Sequence, residues 1–121
     1  MSVEIILVLA TLLPLVATIS AKAGASSFSN HAPRQWLAQQ QGWRARANAA
    51  QANSFEALPF FYAAVLYSTW KEAPLSSLQL LAAIWLVLRL LYIALYIWDK
   101  ALLRSLVWFL ALVVNVVLLF S

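Results

Sequence analysis

Two short stripes of polar side chains stand out in an otherwise apolar chain. Asn53 and Glu56 lie three residues apart within WRARANAAQANSFEALPFF, which runs from Trp43 to Phe61, and Arg46 precedes Asn53 by seven. Arg89, Tyr92 and Tyr96 follow the spacing i, i+3, i+7 further on. On helices each set forms one face. An amide, a carboxylate, a guanidinium and two phenols held away from water can do ion pairing and directed hydrogen bonding. A charge at mid-membrane costs about 3 kcal/mol or more, so Glu56 and Arg89 are expected to pair with each other or to be wetted. The chain has no cysteine and one histidine, so neither a thiol nucleophile of its own nor a metal site is expected.

The elements that must carry these stripes follow from composition. The 121 residues are 64% hydrophobic and 10% charged, with a mean hydropathy of +0.84. Soluble domains carry about 25% charged residues, so the expected class is an all-α integral membrane protein. Long apolar runs, rather than alternating segments, exclude a β-barrel. One domain of four transmembrane helices is expected, at about 3–21, 44–70, 75–98 and 101–120, with a polar connection over 22–43. In that connection Asn30 reads as the cap of a short helix at headgroup level, with Trp36 and Leu37 on it and Gly42 ending it. Pro14 is expected to kink the first helix, and Pro59 to free the carbonyl of Phe55 beside Glu56.

Orientation follows from the basic residues. Lys22, Arg34, Arg44 and Arg46 fall in or beside the first connection and Lys100 and Arg104 in the third, against Lys71 alone in the second. Loops one and three are therefore expected in the cytoplasm and both termini outside. The net charge of +4 is a topology signal on this reading, not a nucleic-acid-binding one. Depth then aligns the stripes. Glu56 lies 14 residues before Trp70 and Arg89 lies 14 residues after Leu75, which places both about 21 Å below the outer ends at about 1.5 Å per residue. Asn53 and Tyr92 match in the same way, with Tyr96 and Arg104 nearer the cytoplasmic surface. A plainer reading makes the same residues interhelical glue and interfacial tyrosines, with Lys100 and Arg104 as orientation signals.

Gly42-Trp43-Arg44-Ala45-Arg46-Ala47, then Ala50, then Asn53-Ser54-Phe55-Glu56-Ala57-Leu58-Pro59-Phe60 resembles the second helix of the MAPEG family, the membrane-associated proteins in eicosanoid and glutathione metabolism. Asn30…Pro33-Arg34 adds a likeness to its short bacterial members, and Arg89-Leu90-Leu91-Tyr92…Tyr96 resembles the third-helix signature. The resemblance implies a four-helix bundle assembled as a homotrimer in a bacterial inner membrane, with glutathione as cosubstrate between subunits on the cytoplasmic half. It implies a glutathione site lined by Asn53, Glu56, Arg89, Tyr92 and Tyr96, with Arg46 two turns before Asn53 as a further binding candidate, and Arg104 as the thiolate-stabilising arginine. Arginines would clamp the two carboxylates of glutathione and Glu56 its amine, while a hydrophobic acceptor would arrive from the bilayer. One position departs from the eukaryotic transferases: Ala49 stands where they carry an arginine, four residues before the asparagine.

Two functions follow from the likeness, a glutathione-dependent transferase or peroxidase acting on hydrophobic electrophiles, and a non-catalytic protein binding membrane lipids in the same cleft. A small multidrug transporter has similar length and span number, but those proteins centre on a carboxylate within helix one, and here Glu4 sits at its very start.

Overall fold

Four long helices and one short helix make up the computed structural model, which describes all of residues 1–121 and contains no strand. They are α1 (Val3–Lys22), α2 (Pro33–Ala38), α3 (Trp43–Trp70), α4 (Leu75–Ile97) and α5 (Ala101–Phe120). Hydrogen bonds between elements fix their directions. Arg44 Nη1 donates to the Ala21 carbonyl and Arg46 Nε to the Ile97 carbonyl, both at 3.0 Å, so the start of α3 lies beside the ends of α1 and α4. At the other end Gln79 donates to the Met1 carbonyl, while Ser68 and Lys71 donate to the carbonyls of Leu118 and Leu119. The long helices therefore alternate in direction, and α3 touches each of the other three.

Of the four transmembrane helices expected, three are apolar enough throughout to stand as candidate spans, and the helix with the polar stripe is not. α1, α4 and α5 are long and apolar enough to cross a membrane. α3 differs because its first half carries Arg44, Arg46, Asn48, Gln51, Asn53 and Glu56. Pro14 and Pro59 both lie inside continuous helices.

Both short connections end their helices in the same way. The amide of Ala73 bonds the carbonyl of Ser68 after α3, and that of Lys100 bonds Leu95 after α4. Each closes over a residue at positive φ, Glu72 at 60° and Asp99 at 62°. These are Schellman closures that use up otherwise orphaned carbonyls. The short helix differs from expectation at both ends. Ala32, not Asn30, precedes α2, and no side chain caps it. Gly42, at φ 67°, sits past the end of α2 and opens α3. Leu37 of α2 is buried against Ala21 and Ala47, which ties the connection to the bundle.

Packing relies on small residues. Ala10, Ala17, Ala50, Ala64 and Ala82 are fully buried where helices meet, allowing close backbone approach where lipid supplies no hydrophobic drive between helices. The largest buried pair is Trp85 of α4 stacked on Phe61 of α3, with centroids 3.8 Å apart and planes 10° from parallel. Trp85→Ala should therefore destabilise the fold by about 3–5 kcal/mol, read as a lowered thermal midpoint in detergent.

Candidate functional site

Arg89 is 1% exposed, in the middle of α4. Its side chain runs toward the C-terminal end of the helix and lies over the Tyr92 ring, with the guanidinium carbon 4.2 Å from the ring centroid. There Nη2 donates to Asn53 Oδ1 at 2.7 Å, its one hydrogen bond, and Nε is buried without a partner. This corrects the expected Glu56–Arg89 pair. The path over Tyr92 carries the guanidinium to the level of Asn53, not Glu56. Glu56, about 60° further round α3, is exposed and makes no hydrogen bond within the chain.

The two tyrosines continue the layer. Tyr92 and Tyr96 meet edge to face at 5.7 Å. Arg104 of α5 lies over the Tyr96 ring at 4.3 Å. A cation in the first turn of a helix opposes the helix dipole, so the electron-rich ring face offsets an unfavourable position. Asn53, Tyr92, Tyr96, Arg104, Ser105 and Trp108 line a hollow of about 230 Å³. A second hollow of about 170 Å³ is lined by Asn53, Glu56, Ala57 and Trp108. Asn53 and Trp108 form the ridge common to both.

Of the residues singled out in the sequence, Asn53, Tyr92, Tyr96 and Arg104 thus share one hollow, with Arg89 behind Asn53 and Glu56 on the other side of the ridge. Arg46 stands apart, committed to the Ile97 carbonyl at the end of α4. Ala49 faces a different hollow of about 420 Å³, with Arg34, Asn48 and Gln51. Ser105 and Trp108 were not anticipated. The available signal was their spacing of one and four from Arg104, which puts Trp108 on the same face of α5.

The electrostatic character of this layer is plain. Two guanidiniums, a primary amide and two phenols converge with one carboxylate set to the side, so the larger hollow favours an anionic group and the smaller a cationic one. Asn53→Ala should destabilise the protein by about 1.5–3 kcal/mol by removing the hydrogen bond of a buried guanidinium, whereas Glu56→Gln should stay within about 0.5 kcal/mol of the parent. Thermal unfolding in detergent distinguishes the two, and the opposite ranking would return the pairing role to Glu56.

No curated protein and no solved structure matches the chain. A family match does cover nearly all of it, residues 2–121, and that family is MAPEG. Three helices apolar enough to cross a bilayer agree with a membrane family. The chain is a membrane protein of the MAPEG family.

Proposed function

We propose that this protein is a glutathione-dependent transferase or peroxidase acting on hydrophobic electrophiles, with its site completed between the subunits of a homotrimer. The observation that carries the reading is the pair of arginines without a carboxylate partner, Arg89 beneath Asn53 and Arg104 over Tyr96, beside a hollow open at the chain's surface. Glutathione carries two carboxylates and one ammonium, and the layer offers cations on one side of the ridge and Glu56 on the other. Arg104 supplies the cation that favours a thiolate over a thiol. The chain has no sulfur nucleophile of its own, so the sulfur comes from the cosubstrate.

Assembly enters the reading for two reasons. Each of the two hollows beside Asn53 is smaller than the roughly 300–1,000 Å³ of a typical ligand pocket, so a neighbouring copy is needed to close it. The exposed side of α3 also presents polar groups, among them Glu56 and the partly exposed Asn48 and Gln51, that lipid tails would not satisfy. On this reading α3 crosses the membrane as a fourth span. The arginine-rich end, with Lys22, Arg34, Arg44, Arg46, Lys100 and Arg104, lies in the cytoplasm and both termini outside, in a bacterial inner membrane.

One observation favours a second reading. Arg46 is engaged at Ile97 and Ala49 replaces an arginine, so no arginine of α3 reaches the Asn53 layer. A non-catalytic lipid-binding protein of the same fold would tolerate that loss. Titration calorimetry of the purified protein with glutathione, alongside a thiol-dependent conjugation assay, separates the two: binding with turnover is expected, and no heat at millimolar glutathione would overturn the proposal. Arg104→Ala should lower the thiol-dependent rate by about tenfold or more while leaving the melting temperature within about 1 °C, since Arg104 makes no hydrogen bond from its side chain.

A further inference from the structure

Trp108 differs from the other rings of the site in having nothing to do within the chain. Tyr92 is covered by the Arg89 guanidinium and Tyr96 by that of Arg104, and the two tyrosines also meet each other. The Trp108 indole has no stacking partner and no cation over it, and its N–H makes no hydrogen bond, unlike that of Trp36, which donates to Ser27. It is 42% exposed. Its place on α5 is also unusual for an exposed indole. Trp36, Trp43, Trp70 and Trp98 all lie at or beyond helix ends or in α2, where interfacial indoles belong, and Trp85 is buried. Trp108 instead stands eight residues into α5 on the ridge between the two hollows, beside Asn53.

From this we infer that Trp108 is the specificity-determining platform for the acceptor, and that the preferred acceptors are apolar molecules with an aromatic ring that lies on the indole face. The inference rests on the glutathione reading and names the substrate class of that site. An uncommitted ring next to the charged layer lets a flat acceptor arriving from the bilayer rest beside the sulfur without displacing the arginines. Offset stacking or edge contact adds selectivity beyond the area covered. An acceptor that is only a flexible chain gains the burial but not that geometry.

The test compares two ligands that share the glutathione part and differ in the group on sulfur, S-(4-nitrobenzyl)glutathione and S-hexylglutathione, by calorimetry on the purified protein, on Trp108→Leu and on Trp108→Phe. The parent should bind the nitrobenzyl compound tighter by about two- to tenfold. Trp108→Leu should abolish the preference, read as the ratio of the two affinities so that any change shared with free glutathione cancels, and Trp108→Phe should keep most of it. An equal preference in parent and Trp108→Leu, with free glutathione still binding, overturns the inference alone; that is the result expected if a neighbouring helix or a lipid tail covers the ring. Failure of the parent to bind free glutathione overturns the functional reading and this inference with it.

Discussion

A guanidinium buried in the middle of an apolar helix, with no carboxylate beside it, is the constraint around which this chain is arranged. Arg89 cannot reach water, and a lone charge in a low-dielectric interior is costly. The fold answers with what two adjoining helices can supply: a ring face from its own helix one turn on and an amide oxygen from α3. Both are partial compensations. Because they neutralise nothing, the positive potential is passed on to the adjoining hollow, where Arg104 adds to it. The alignment of α3 with α4 is set by the same contact, and the Trp85–Phe61 stack holds it from further along.

Much of this was legible from residue types and spacing. Apolar runs gave the helices, and the breaks at Pro33, Gly42 and Pro74 fall where helices begin. Matching depth brought Asn53 and Tyr92 to one level, and they do share a hollow. What spacing could not convey was the direction of a long side chain. Arg89 has several rotatable bonds, and whether it points up or down its helix decides between Glu56 and Asn53 as partner. The same holds for Arg46, whose stripe position suggested the site but whose Nε caps the end of α4. Trp108 escaped notice for another reason: an indole in an apolar helix is unremarkable until its neighbours are seen to be otherwise engaged.

The aromatic residues divide by role according to what faces them. Trp85 and Phe61 face each other and serve packing. Tyr92 and Tyr96 face arginines and hold charge within the bundle. Phe28 under Lys22 and Trp43 under Arg44 pair rings with cations at the basic end of the chain. A ring is thus the usual counterpart of a cation in this chain, which has only four acidic residues against eight lysines and arginines.

The uneven division of the helices bears on how the chain is made. α3 alone is too polar in its first half to leave the aqueous or translocon environment for hydrocarbon, and its Asn53 amide and α4's Arg89 satisfy each other only side by side. The turn between them is short and closed by its own backbone hydrogen bonds. With α3 as the proposed fourth span, the two helices have reason to partition as one hairpin, with α4 lowering the cost of admitting α3. Biogenesis, on this view, waits for residue 97 before residue 43 can settle.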